Sequence, residues 1–334
     1  MGKVKRRILI TGAAGFIGSQ LASGILSQGS YDLVGLDNFS APYGGDHCQV
    51  RAKSLIDKFG FHVDTIDLST ICGQSLYDNY GRFDIVIHLA AWPGVRFGQL
   101  SPNSYYLNNV NAFGNILDFT NISKPSKFLF ASSSSVYGDL ALSGPVFENS
   151  ATGQNLKSFY AATKWSNEVL AESYQSITNI PTIALRFFTF YGPNGRPDMA
   201  YWHFLESILS NRQVDLFGTN GGIRNFTFIE DAIKIILALI KVDFSGYRPL
   251  NIASSSPITT LELLETLGNR LGIHPRYRVI DRPEYDASIT HADTSFLKSL
   301  IGNYHESSID FGIQSFVDWY TNYYLPTTPS DSGS

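Results

Sequence analysis

Only two cysteines, Cys48 and Cys72, occur in 334 residues, too few for a disulfide framework and without the spacing of a metal site. No metal is expected, and a reducing cytoplasm suits such a chain. Charge is also sparse: charged residues make up 16% of the sequence and the formal net charge is −4, so no basic field marks nucleic acid or an anionic membrane as a partner. No apolar stretch is long enough to span a bilayer. Near the start, Ile8-Leu9-Ile10 is too short for the apolar core of a signal peptide, and Arg6 stands where a myristoylation signal needs Ser or Thr. Thr327 to Ser334 offer nothing to bury and predict a disordered tail.

What the sequence does contain is a regular alternation of short apolar runs and amphipathic segments. Arg7 to Thr11 reads as a buried parallel strand running into Gly12-Ala13-Ala14-Gly15-Phe16-Ile17-Gly18 and then a helix with Leu21, Ile25 and Leu26. Gly12 allows the tight turn, Gly15 lets backbone approach a pyrophosphate at the helix N-terminus, and Gly18 lets helix and strand pack closely. Phe16 and Ile17 open that helix. The next run, Leu33 to Leu36, ends at Asp37-Asn38, and Asp37 lies 19 residues beyond Gly18. A carboxylate there accepts hydrogen bonds from an adenosine ribose and repels a 2′-phosphate, so NAD is expected rather than NADP. The run His62 to Ile66 ends at Asp67-Leu68, placed for the adenine edge. The fourth run, Asp84 to Leu89, ends in Ala90-Ala91, small residues that let backbone lie against a cofactor. His88 within it reads as a core histidine.

The fifth run, Lys127 to Ala131, delivers the chain to Ser132-Ser133-Ser134-Ser135, hydroxyls at the carboxyl end of a strand, where ligands bind in doubly wound sheets. Tyr160 follows Ser133 by 27 residues, and Lys164 follows Tyr160 by four. On a helix that spacing puts phenol and ammonium on one face, so the lysine is expected to lower the phenol's pKa for proton exchange. Helices are expected over Pro102 to Thr120 and Ser158 to Ser176, and a sixth strand from Thr182 to Phe190. Beyond it the alternation breaks down, and no internal repeat or low-complexity linker is present.

Taken in order, these stretches, with Leu185-Arg186-Phe187-Phe188, resemble the extended short-chain dehydrogenase/reductase family and its nucleotide-sugar epimerases and dehydratases. Gly94-Val95-Arg96, Gly195-Arg196-Pro197-Asp198-Met199-Ala200 and Thr290-His291-Ala292-Asp293 narrow the similarity to UDP-glucuronate 4-epimerases. The resemblance implies a Rossmann-type α/β fold, a doubly wound parallel sheet, with a smaller α/β substrate domain. The cofactor domain would comprise 1–190 with 225–253, and the substrate domain 191–224 with 254–326.

The resemblance also implies bound NAD, a UDP-sugar substrate, a homodimer, and C4 inversion through a transient ketone. Tyr160, Lys164 and Ser133 would be catalytic. Gly12, Gly15, Phe16, Ile17, Gly18, Asp37, Asn38, Asp67, Leu68, Leu89, Ala90 and Ala91 would hold the cofactor with Tyr160 and Lys164. Arg96, Ser133, Ser134, Ser135, Thr189, Arg196, Arg224 and Arg282 would meet the sugar nucleotide, Thr189 and Arg196 at the sugar carboxylate. The alternatives are a UDP-glucose or UDP-N-acetylglucosamine 4-epimerase, a 4,6-dehydratase, a UDP-glucuronate decarboxylase and a non-catalytic NAD-binding regulator. Two departures stand out: Phe159 where the family has proline, and Asn225 where it has aspartate beside the phosphate-binding arginine.

Overall fold

Residues 5–325 are described in a computed structural model; the tail expected at 327–334 lies outside them. The apolar runs become β1 (Arg6–Thr11), β2 (Tyr31–Asp37), β3 (Val63–Thr65), β4 (Ile85–His88), β5 (Lys127–Ser133) and β6 (Thr182–Phe187), joined by β7 (Tyr247–Ile252). They form one seven-stranded sheet in the order β7-β6-β5-β4-β1-β2-β3, every pair parallel. The chain winds outward from β1 in both directions, so the carboxyl ends of β1 and β4 flank the point where the winding reverses. Ligands bind at such points.

Period-two side-chain alternation explains why the strands read as continuous apolar runs. Ile8, Ile10, Ile85, Ile87, Leu129, Ile183 and Leu185 face one core, packed with Leu21 and Ile25 of α1 (Phe16–Gln28) and with the helix Ile229–Lys241. Leu9, Val86, Phe128, Phe130 and Ala184 face the other core, against Phe113, Ile116 and Leu117 of the helix Ala112–Ser123. With helices on both faces, neither side of the sheet needs polar residues.

Two expected elements differ. The run Thr182 to Phe190 is split after Phe187: Thr189–Tyr191 leaves the sheet and pairs instead with Phe226–Phe228. The helix expected from Pro102 is broken into Pro102–Tyr105, a π-helical stretch Tyr106–Asn111, and Ala112–Ser123. Asn109 in that stretch is fully buried, accepts from Trp92 N–H at 2.7 Å and donates to Trp92 carbonyl at 3.0 Å, so the irregularity turns its amide toward the chain leaving β4. Small sheets beyond β6, including Ile223–Arg224 with Ile258–Thr259 and Ile289–Thr290, stand over the carboxyl ends of the main strands. Among the described residues no helix is long and apolar enough to cross a membrane, and no cluster of His, Cys, Asp and Glu is placed to hold a metal ion.

Candidate active site

A cavity of about 770 Å³ runs along the carboxyl ends of the strands, beneath the small sheets. One end is built by the glycine turn. Gly12 has φ of +73°, and a Cβ there would lie 2.6 Å from Ala90 N; a Cβ on Gly18 would lie 2.0 Å from the Gly12 carbonyl oxygen. α1 begins at Gly15 with no side chain capping it and no acidic residue in its first turn. Its first N–H groups and positive dipole end are therefore turned to a ligand anion. Asp37, at the end of β2, accepts from Ala14 N–H at 2.9 Å and Phe39 N–H at 2.8 Å. Burial raises its pKa, while those two bonds and the charge of Arg51 oppose the rise. A carboxylate so held keeps lone pairs for two ribose hydroxyls. The cradle fits a dinucleotide diphosphate and ribose. Gly12, Gly15, Phe16, Ile17, Gly18, Asp37, Asn38, Asp67, Leu68, Leu89, Ala90 and Ala91 all line this part of the cavity.

Midway along, β5 brings Ser133, Ser134 and Ser135 to the wall, and α2 (Phe159–Thr178) brings Tyr160 and Lys164. Ser158 caps that helix by accepting from Ala161 N–H at 3.1 Å, so Phe159 takes the first helical position. Proline is tolerated there because that N–H is unpaired in any case, which is why Phe159 can stand in its place. Lys164, 3% exposed, donates to the Ala131 carbonyl at 2.9 Å, its ammonium 5.9 Å from the Tyr160 ring centre.

The electrostatics differ from the sequence expectation. Burial pulls the Lys164 pKa down to about 7. Burial also raises that of Tyr160, while a hydrogen bond with Ser133 and the charge of Arg196 pull it the other way. In the protein alone, Ser133 and Arg196 oppose the rise of the phenol, while the charge of Lys164 is itself weakened by desolvation. His88 is a neutral core group as expected: its Nδ1 is 2.7 Å from Thr11 Oγ1, and burial holds its pKa near 3.

Beneath the serine run lies a buried ion pair. Arg186 Nε donates to Glu168 Oε1 at 3.0 Å and Nη2 to Oε2 at 2.7 Å, the two side chains 3% and 4% exposed. Burial opposes the charge on Arg186, but the hydrogen bonds and charge of Glu168 outweigh it and raise the pKa. Ser132 also hydrogen-bonds Glu168, and Tyr137 accepts from Arg186 at 2.9 Å. Glu168→Gln leaves a buried guanidinium without its counter-charge, which costs about 3–5 kcal/mol; a fall of several degrees or more in melting temperature is the expected measurement.

The far end of the cavity carries guanidinium groups, two of them paired with carboxylates of the same wall. Thr189, Arg96, Arg196 and Arg224 reach its surface. Arg224 Nη2 donates to Asp286 at 3.0 Å. Arg282 Nη1 donates to the other Asp286 oxygen at 2.6 Å from behind, so Arg282 braces the wall rather than lining it. Asn225 is fully buried, donates to Ser254 carbonyl at 2.7 Å and accepts from Ala292 N–H at 2.9 Å. The counter-charge to Arg224 thus comes from Asp286, and the Asn225 departure leaves no hole. Sequence reasoning passed over Asp198 and Asp286, which face the cavity, and Arg51, which secures it from behind. Asp198 sits two residues from Arg196 and was findable; nothing local distinguishes Arg51 from any helical arginine.

The glycine cradle, the Tyr-Lys helix and the doubly wound sheet define a class, and comparison gives it a name. The model of the NAD dependent epimerase/dehydratase family matches residues 8–253, and the chain belongs to that family. Protein CapI of Staphylococcus aureus is 36% identical over 95% of this chain and 99% of its own length. UDP-glucuronate 4-epimerase 4 of Arabidopsis thaliana is 34% identical over 95% of this chain and 76% of its own. Among solved structures, the UDP-glucuronic acid 4-epimerase from Bacillus cereus in complex with UDP-glucuronic acid and NAD superposes with a TM-score of 0.87 at 30% identity, covering 95% of this chain and 99% of that one.

Proposed function

We propose that the chain inverts C4 of a UDP-linked uronic acid, interconverting UDP-glucuronate and UDP-galacturonate with NAD held in the site. The observation that carries this is Arg196 with Thr189 in the cavity wall, on the same cavity as Tyr160 and Ser133. A carboxylate taken out of water needs a charge-assisted donor fork, which a neutral sugar does not.

The residues divide the work as follows. Gly12 to Gly18 and Asp37 hold the dinucleotide, with Asn38, Asp67, Leu68 and the Leu89-Ala90-Ala91 backbone along its length. When bound, NAD would supply the acceptor and donor for the C4 hydride and a positive charge within the cavity. Tyr160 takes the proton of the sugar 4-hydroxyl and later gives one back, and Ser133 hydrogen-bonds the same oxygen. Lys164, with a pKa near 7, exchanges its proton readily at neutral pH. The flat 4-ketone turns over about the diphosphate link and is reduced on its opposite face. Arg224, braced through Asp286 by Arg282, faces the diphosphate, while Ser134, Ser135 and Arg96 add donors around the sugar. We assign the cofactor half to 1–190 with 225–253 and the sugar-nucleotide half to 191–224 with 254–326.

The assembly is proposed as a homodimer in the cytoplasm. Tyr106 and Leu107 on the stretch Tyr106–Asn111, with Val169, Leu170 and Ile177 on α2, are 39–74% exposed, an apolar surface suited to a four-helix interface. Size-exclusion chromatography with light scattering should give twice the chain mass, and Leu170→Asp with Ile177→Asp should give one. The functional proposal is tested by incubating purified protein with UDP-glucuronate, UDP-glucose and UDP-N-acetylglucosamine and reading products by proton NMR. UDP-galacturonate from the first is expected; preference for a neutral sugar overturns the Arg196 assignment, and UDP-xylose as the main product points to a decarboxylase.

A further inference from the structure

Arg196 is already engaged within the cavity wall. Its Nε donates to Asp198 Oδ1 at 3.0 Å and its Nη2 to Oδ2 at 2.6 Å. The two side chains are only 18% and 15% exposed, and both face the cavity. Their backbone is clamped. Arg51, 3% exposed, donates from Nε to Asn194 carbonyl at 2.8 Å and from Nη2 to Gly195 carbonyl at 2.6 Å, and Tyr201 hydroxyl accepts from Arg196 N–H at 3.1 Å. Gly94 closes over the pair: a Cβ there would lie 3.3 Å from Arg196 Nη2 and 3.6 Å from Asp198 Oδ2.

A guanidinium carries five N–H bonds. Asp198 takes one on Nε and one on Nη2, leaving the other N–H of Nη2 and both on Nη1 as a second fork. A sugar carboxylate can use that fork without displacing Asp198, but then two carboxylates share one cation. The reaction gives this sharing a purpose. The carboxylate is bonded to C5, next to the carbon being inverted, so when the ketone turns over the carboxylate must leave its contact. An unshared buried guanidinium would hold the sugar in its first orientation.

We infer that Asp198 is a positioning residue that tempers the hold of Arg196 on the sugar carboxylate, so that an acidic sugar is recognised and still released to turn. The proposal rests on the uronic acid assignment above. Two effects compete when Asp198 is neutralised. Losing the partner loosens Arg196, worth a few-fold in affinity for one side chain. Losing a like charge about 6 Å from the ligand carboxylate strengthens binding, by as much as about a hundredfold at the effective dielectric of a protein site. Because Arg51 and Tyr201 still hold the backbone, the charge effect wins.

The experiment is calorimetry and steady-state kinetics on the NAD-bound protein. Asp198→Asn should lower the Kd for UDP-glucuronate and UDP-galacturonate about tenfold, leave UDP and UDP-glucose within twofold, and lower kcat about tenfold. In an Arg196→Met background the ligand carboxylate is no longer drawn to within reach of Asp198, so the same substitution should raise acidic-sugar affinity by clearly less than it does with Arg196 present. Weaker binding of acidic sugars, equal changes for UDP and UDP-glucose, or an undiminished effect without Arg196 would each overturn the proposal. Should the Asn protein not fold, Asp198→Ser removes the same charge and carries the same test. If the unsubstituted protein turns over UDP-glucuronate while Asp198→Asn binds it more weakly, this inference fails and the function stands; if it does not turn over UDP-glucuronate at all, the function fails first.

Discussion

Tyr160→Phe should lower kcat for UDP-glucuronate by about a thousandfold or more while leaving NAD and UDP-sugar bound. The substitution removes one oxygen from a ring that remains held, its neighbour Tyr105 standing edge-on with centroids 6.2 Å apart, so neither fold nor cavity shape should change. General acid–base groups contribute about 10²–10⁴ in rate; in the proposed site Ser133 only hydrogen-bonds the sugar 4-oxygen and Lys164 is turned to the Ala131 carbonyl, so neither replaces the phenol. Stopped-flow and endpoint NMR check the rate, and calorimetry checks that binding survives. Full activity in this variant would leave the phenol a packing residue and remove Tyr160 from the catalytic groups.

Arg196→Met should cost UDP-glucuronate about a hundredfold or more in kcat/KM, since losing one partner of a desolvated charge pair costs about 2–5 kcal/mol. Neutral UDP-sugars should be affected far less. A second consequence concerns product. A 4-keto sugar bearing a C6 carboxylate is a β-keto acid, and it loses carbon dioxide when the C5–C6 bond aligns with the ketone. In the proposed site Arg196 and Thr189 would fix the carboxylate and hold that bond out of alignment, so the Met variant should release a greater share of decarboxylated pentose product. Proton NMR separates the two sugars. An Arg196→Met protein that keeps both its rate on UDP-glucuronate and its product purity would remove the arginine from the site.

Much of this was legible before any coordinates, and what was legible was local. The strands were readable because a strand buried on both faces must be apolar along its length, as Ile8-Leu9-Ile10 and Ile85-Val86-Ile87 are. The cofactor cradle was readable because Gly12 and Gly18 sit where any Cβ would strike backbone, a restriction that fixes residue type. What escaped was set by distance in the chain. The break after Phe187 depends on Phe226–Phe228 offering Thr189–Tyr191 a second partner. Asp286, 62 residues from Arg224, supplies the charge that the neighbouring Asn225 lacks. The acidity of Tyr160 is not legible in helical spacing, which reports which groups meet and not how much water they keep; in the protein without NAD, desolvation moves both Tyr160 and Lys164 toward their neutral forms.

The central claim is that C4 itself is oxidised and re-reduced within one site. UDP-glucuronate carrying deuterium at C4, incubated with the enzyme in ordinary water and followed by proton and deuterium NMR, tests it most directly. The same deuterium should remain on C4 of UDP-galacturonate, with inverted configuration and no hydrogen from solvent. Loss of the label to water, or solvent hydrogen appearing at C4, would contradict the account.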